Sequence, residues 1–251
     1  MPEMDIPNTR RFFVPPQILR DDQLQIDDAG IVHQISRVLR LRPGDQVLLL
    51  DGEGTACVVE LVEVARAEVR GRVLRREPSG GEPRLEVSLY LALTRHERFE
   101  WSLQKAVELG ARRLIPVQFA RSLPADRADA RRLERWRRIA REAAEQACRG
   151  RLPEVAEPCS FARACEQAAL APRALVLWER EAPALRDILR GHPAVPHIAL
   201  LSGPEGGITP EELTAARAHG IMPTSLGPRI LRAETAPIAA IAAILYEFES
   251  P

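Results

Sequence analysis

Apolar positions along this chain follow two different periods, and the change falls about a third of the way along. In the first part the runs are short and rich in Val and Leu. Gln46–Leu50, Thr55–Val62 and Glu68–Leu74 each predict a strand, and Asp51-Gly-Glu-Gly54 supplies the first hairpin turn. Ahead of them, Ile31, Ile35, Val38 and Leu39 recur at helical spacing, so Ala29–Leu41 predicts a short amphipathic helix, followed by a turn at Arg42-Pro-Gly-Asp45. Thr9-Arg-Arg-Phe-Phe-Val-Pro-Pro16 predicts an aromatic strand ended by prolines, after a polar, loose Met1–Asn8. Closely spaced strands around one helix suggest a small β-barrel, and periodicity alone does not say which kind.

Glu77-Pro-Ser-Gly-Gly-Glu-Pro83 is the clearest linker, and beyond it helical and strand periods alternate. Leu85–Leu93 predicts a strand, Phe99–Leu109 a helix stopped by Gly110, and Leu114–Phe119 the next strand. Asp126–Cys148 predicts a long helix with Leu133, Trp136, Ala140, Ala143 and Ala147 on one face and arginines on the other. Ala174–Trp178 and Ile198–Leu201 predict buried strands. Thr235–Phe248 is a helix apolar on every side, which must be covered in a core or a dimer interface. Alternation of this kind implies an α/β unit with a parallel sheet between helices. The expected division is therefore a first domain over residues 1–77 and a second over 84–251.

Two glycine-rich loops stand near the end of the second part. The first follows Ile198–Leu201 as Ser-Gly203-Pro204-Glu205-Gly206-Gly207-Ile-Thr-Pro-Glu-Glu-Leu213. Glycines let a backbone approach a ligand closely. Thr209 as N-cap, Pro210 at the first position and Glu212 completing a capping box predict the helix behind it. The second loop reads Thr224-Ser-Leu226-Gly227-Pro-Arg229-Ile230-Leu231-Arg232-Ala-Glu234-Thr235. Strand, glycine turn and helix N-terminus is a common way to build a nucleotide pocket. The spacing is not G-x-G-x-x-G and Glu205 would repel phosphate, so a dinucleotide oxidoreductase is disfavoured.

Composition narrows the classes further. At 251 residues and 45% hydrophobic the chain can build a real core. No run approaches the ~20 apolar residues of a membrane span; the longest candidate is Pro237–Tyr246, and the N-terminus has no secretory leader pattern. The expectation is a cytoplasmic protein without a membrane partner. Cys57, Cys148, Cys159 and Cys165 form no C-x-x-C pair and no histidine stands at ligand spacing, so no metal is expected and the thiols are expected to be reduced. Net charge is zero, yet between Arg112 and Arg151 twelve arginines face five acids. That excess suits an RNA backbone, and a solvated helix face is the competing reading.

Gly203-Pro-Glu-Gly-Gly207 followed by Leu226-Gly-Pro-Arg-Ile-Leu-Arg-Ala-Glu-Thr235 resembles the RsmE family of ribosomal RNA methyltransferases, of the SPOUT superfamily. Further matches support it: His33 with Arg37-Val-Leu-Arg40, Gln104-Lys-Ala-Val-Glu-Leu-Gly110, and Glu145-Gln-Ala-Cys-Arg149. The last departs from the family's pattern, with Ala147-Cys148 where a small residue and Gly are usual, which puts the local backbone bend in doubt. The resemblance implies a PUA-like β-barrel followed by an α/β domain with a deep trefoil knot that binds S-adenosylmethionine. It further implies methylation of uridine N3 in small-subunit (16S) rRNA, and a homodimer formed through the last helix. Carried over residue by residue, it implies that Leu201, Gly203, Pro204, Glu205, Gly206, Gly207, Leu226, Gly227, Ile230, Leu231, Glu234 and Thr235 hold the cofactor. Arg232, Arg229 and Arg11 would act on the uridylate, and Arg10, Arg11, Arg37, Arg40, Arg149 and Arg151 would meet RNA.

The chemistry asks for aligned reactants and for positive charge beside an electron-rich pyrimidine, which fixed guanidinium groups supply. None of the five histidines lies in either loop. Two alternatives remain: a related methyltransferase acting on another base or a ribose, and a non-enzymatic RNA-binding ribosome-assembly protein.

Overall fold

Residues 10–123 and 129–248 of the chain are described by a computed structural model. Arg127, Asp126 and the N-terminal Met1–Asn8 fall outside the described residues. The chain divides into two compact units, one from the N-terminus to Glu82 together with Ala144–Leu152, the other comprising Pro83–Ala143 and the rest from Pro153.

In the first unit, β1 (Arg11–Phe13), β2 (Gln23–Ile26), β3 (Gln46–Leu50), β4 (Thr55–Val64) and β5 (Val69–Pro78) make one sheet in the order β1-β3-β4-β5-β2. β1 lies parallel to β3 and the other pairs are antiparallel. β1 and β2 are its two edges, so the sheet is a half-barrel. The helix α1 (Ala29–His33) is capped by Asp28, whose Oδ1 accepts from Ile31 N at 2.9 Å. A five-residue π turn, Gln34–Val38, continues it, and Arg40 ends the segment at φ 52°. Phe12, Ile26, Ile35, Val47, Leu49, Val59 and Val69 fill the core beneath.

Ala144–Leu152 was expected to belong with the second part of the chain, but its bonds are to the first unit. Phe13 N donates to Glu145 Oε1 at 3.0 Å and Leu152 N to Gly52 O at 3.1 Å. Cys148 takes the left-handed conformation, φ 58°, so the bend expected of a glycine is kept by a cysteine.

The second unit is a parallel sheet of β6 (Glu86–Ala92), β7 (Arg113–Gln118), β8 (Glu154–Val155), β10 (Arg173–Leu177), β11 (His197–Ser202) and β12 (Met222–Thr224). Its order is β12-β10-β11-β6-β7-β8, with β9 (Cys159–Ser160) also on β7. β11 and β6 are buried after their first residues, as a sheet covered on both faces requires. α4 (Phe161–Ala168) and α6 (Pro210–Ala218) pack together over Tyr90, Val117, Val176 and Leu201. α7 (Thr235–Phe248) packs against β11, β6, α2 (His96–Leu109) and α5 (Leu185–Gly191). Gly110 ends α2 at φ 112°. α3 (Ala130–Gln146) sets Trp136 against Phe99, ring centroids 4.3 Å apart. The two glycine loops leave the carboxyl ends of β11 and β12, where open parallel sheets place their ligands.

Candidate active-site cleft

The first loop is fixed at both ends. Gly207 N donates to Pro204 O at 2.9 Å and closes the turn. Gly207 is left-handed, φ 74°, and a Cβ there would stand 3.0 Å from Glu179 Oε1, so glycine is what lets the turn reach that carboxylate. Behind the turn the capping box forms: Glu212 N donates to Thr209 Oγ1 at 3.2 Å and Thr209 N to Glu212 Oε2 at 2.9 Å. The other Glu212 oxygen accepts from Ala120 N at 2.7 Å, and Arg121 Nη1 donates to Gly206 O at 2.8 Å. The stretch after β7 thus braces the loop from outside.

The second loop is tethered at its ends and open between them. Trp178 N donates to Thr224 O at 2.9 Å, and Ser225 N to Pro183 O at 2.9 Å. At the far end Thr235 N and Ala236 N donate to Arg232 O at 2.9 and 3.0 Å, starting α7. Between these anchors Gly227–Ile230 is exposed, and Ile230 keeps 81% of its surface in solvent.

Together the loops wall a cleft of about 620 Å³. Gly203, Pro204, Glu205, Gly206, Gly207, Leu226, Gly227, Ile230, Leu231 and Glu234 line it, with Arg229 and Arg232. Leu201 is fully buried below the first loop, and Thr235 opens α7; neither lines the cleft. Arg98, Trp178, Glu179, Ser202, Thr224 and Ser225 line it as well and carry no motif that singles them out. Trp178 and Glu179 had two available signals: their place at the carboxyl end of a predicted parallel strand, and the family resemblance, which sets the loop from Glu179 to Pro183 beside the cofactor.

Charge in the cleft is mixed. Arg98 Nη1 lies 3.1 Å from Glu205 Oε1 and Arg98 Nε 3.8 Å from Glu234 Oε1, while Arg232 Nη1 is 3.9 Å from the same oxygen. Glu234 Oε2 is buried and has no hydrogen-bond donor among the described residues. The Arg180 guanidinium sits 5.8 Å from the Trp178 ring centre. No group of three His, Cys, Asp or Glu able to hold a metal ion occurs among the described residues.

The remaining sequence-predicted arginines lie in the first unit. Arg10 is 3.9 Å from Asp45, Arg11 opens β1, and Arg37, Arg40 and Arg151 are exposed. Arg149 corrects its expected role as an RNA contact. It is 1% exposed, and its Nε and Nη2 donate to Glu82 at 3.1 and 2.7 Å, so it is committed to holding the unit together. The basic stretch is partly neutralised by its own fold. Arg113 binds Glu154, Arg135 binds Glu100 and Arg137 binds Glu134, at 2.8, 2.6 and 2.9 Å, whereas Arg131 and Arg138 point into solvent. Lys105 and Glu108 form an ordinary pair along α2, at 2.8 Å.

The chain resembles known proteins over most of its length. The model of the RNA methyltransferase domain matches residues 81–245, and that of the RNA methyltransferase PUA domain matches 26–74. Ribosomal RNA small subunit methyltransferase E of Bacillus subtilis is 34% identical over 225 residues, covering 87% of this chain and 88% of the relative. The Synechocystis protein of the same name is 37% identical over 243 residues, covering 96% and 78%. The crystal structure of the Neisseria gonorrhoeae enzyme bound to S-adenosyl methionine superposes with a TM-score of 0.85 at 32% identity, covering 94% of this chain and 96% of that one. With both domain models matched in order and this identity sustained along the length, the chain belongs to the ribosomal RNA small subunit methyltransferase E family.

Proposed function

We propose that this protein transfers a methyl group from S-adenosylmethionine to N3 of a uridine in 16S rRNA of the small ribosomal subunit. One observation carries the reading: a cleft of about 620 Å³, within the range of small-molecule sites, walled by two glycine loops and holding three carboxylates, Glu179, Glu205 and Glu234. Carboxylates beside exposed main chain suit a ligand that carries an ammonium and a sulfonium, and would repel a pyrophosphate. The adenine edge can be read by main-chain amides and carbonyls, and Trp178 offers an apolar wall. When bound, the cofactor supplies an electrophilic methyl group.

The protein's own part is alignment and charge. Arg232, with 79% of its side chain exposed, and Arg229 beside it can reach an incoming nucleotide from the open second loop. A guanidinium at the pyrimidine carbonyls stabilises the negative charge left when N3 loses its proton. Arg11 is assigned to the uridylate phosphate, and Arg10, Arg37, Arg40 and Arg151 of the first unit to the RNA backbone.

A homodimer fits the last helix. Pro237, Ala240, Ile241, Ile244 and Leu245 are buried within one chain, but Ala242, Ala243 and Tyr246 are exposed on an otherwise apolar helix, Tyr246 at 85%. A second copy would cover them. The SPOUT knot is part of the same reading: the chain passes from the edge strand β12 through the second loop to α7 on the central strands β11 and β6. A ribosomal substrate fits a cytoplasmic protein.

The test is to incubate small ribosomal subunits with radiolabelled S-adenosylmethionine and digest the RNA. Label in N3-methyluridine at one position is expected; label in a ribose or in another base would assign a different reaction. Arg232→Ala should lower turnover about 100-fold or more, as loss of one charge-stabilising donor does elsewhere.

A further inference from the structure

The glycine loops carry the recognisable motifs, yet the residue that joins them lies on neither. Arg98 stands in the first turn of α2, a helix anchored by Phe99 and Leu103 in the core. Its Nη1 is 3.1 Å from Glu205 of the first loop, and its Nε faces Glu234 of the second at 3.8 Å. Glu234 is held between two guanidinium groups, since Arg232 stands 3.9 Å from the same oxygen. Neither contact is a closed hydrogen bond, and the second carboxylate oxygen is buried without a donor among the described residues. A buried, half-satisfied carboxylate is costly and calls for a partner.

The two arginines are not equivalent candidates. Arg98 is already fixed at one end by Glu205 and rises from a rigid helix. Arg232 stands at the far anchor of the second loop with its side chain mostly in solvent, and turning that side chain inward would remove it from an incoming nucleotide. We infer that Arg98 is a positioning residue that couples the two loops: it neutralises Glu234 as the cleft closes on its ligand, and so leaves Arg232 free for the RNA. The planar guanidinium can bridge two carboxylates in fixed directions, which an ammonium cannot do.

This inference rests on the cofactor reading above. Arg98 and Glu205 are a third or more exposed, so in the empty protein their bridge adds little to stability. Its effect should appear when ligand excludes water from the cleft and strengthens charge interactions there.

The test is calorimetric titration of the dimer or monomer as purified with S-adenosylmethionine, for wild type, Arg98→Ala, Arg98→Lys, Glu205→Gln and Arg98→Ala/Glu205→Gln, with melting temperatures of each unliganded protein. Arg98→Ala should weaken binding about tenfold or more while the unliganded melting temperature stays near wild type. The loss should fall on the cofactor KM more than on kcat. Arg98→Lys should recover only part of the affinity, and the loss in the double variant should fall short of the sum of the two single losses, because both changes cut the same bridge although Glu205 also faces the ligand. Equal affinity in wild type and Arg98→Ala would overturn the inference while leaving the cofactor reading intact. So would fully additive losses in the double variant. A wild type that binds no S-adenosylmethionine would overturn both together.

Discussion

Replacing Arg149 separates a structural arginine from an RNA-binding one, and the structure states the magnitude to expect. The side chain is 2% exposed, and Glu82 keeps 19% of its side chain in solvent. Their bond is a two-point fork, 3.1 and 2.7 Å, and Glu82 Oε1 also accepts from Arg151 N at 3.0 Å. Arg149→Met keeps the volume of the stem and leaves the Glu82 carboxylate with the backbone donor of Arg151 in a largely dry site. Breaking a buried pair in this way costs roughly 3–5 kcal/mol, and the residual exposure of Glu82 argues for the lower end. About 3 kcal/mol corresponds to a fall in melting temperature of roughly 6–12 °C for a chain of this size. Arg149→Lys should lose most of the same stability, because an ammonium cannot reproduce the fork. Arg149→Met combined with Glu82→Gln should recover part of it, since the stranded charge is gone. The assay is thermal and urea unfolding of each variant, with RNA binding measured at a temperature where all are folded. A variant that melts like wild type but loses RNA affinity would show that Arg149 works at the surface, and the reasoning would fail.

Three other perturbations follow from single positions. Cys148 holds φ 58°, a conformation that costs an L-residue about 1–2 kcal/mol, and glycine's extra freedom in the unfolded chain returns about 0.5–1, so Cys148→Gly should stabilise the protein by roughly 0.5–1 kcal/mol; a lower urea midpoint would contradict this. Gly207→Ala meets both a left-handed backbone and Glu179 Oε1 at 3.0 Å, and should weaken cofactor binding about tenfold or more in a calorimetric titration, where an unchanged Kd would count against the turn as part of the site. Burial pushes the His197 imidazole below its usual 6.5, with Ser88 Oγ 2.9 Å from its Nε2. The unfolded chain then binds more protons than the folded one, so this contribution is complete above about pH 6.5 and is lost as pH falls below it. His197→Gln should flatten that limb of the melting-temperature profile, and an unchanged limb would exclude His197 as its source.

What could be seen in the chain beforehand was set by information that lies close together in sequence. Thr209, Pro210 and Glu212 announce the start of α6 within four residues, and Gly110 announces the end of α2. By contrast β12 is three residues long and contains Pro223; it exists because β10 pairs with it, and no local pattern encodes that. α4 and α5 are eight and seven residues, too short for a clear period. The return of Ala144–Leu152 to the first unit depends on Arg149 meeting Glu82, 67 residues away. Cys148 shows how such long-range contacts prevail. A cysteine in a glycine's place argues locally against the bend, but Arg149 is locked beside it and Gly81 packs against the Cys148 carbonyl, so the surroundings impose the bend. The cleft divides the same way. Its main-chain half, the two glycine turns between strand and helix, stands in contiguous motifs that also carry the family resemblance. Its side-chain half is less local: Glu179 stands in a loop that the resemblance sets beside the cofactor, whereas Arg98 faces Glu205 across 107 positions and no local pattern pairs them. Glycine turns therefore mark where the cleft is walled by backbone, while the charges that link the loops around it emerge only when the sheet brings distant strands side by side.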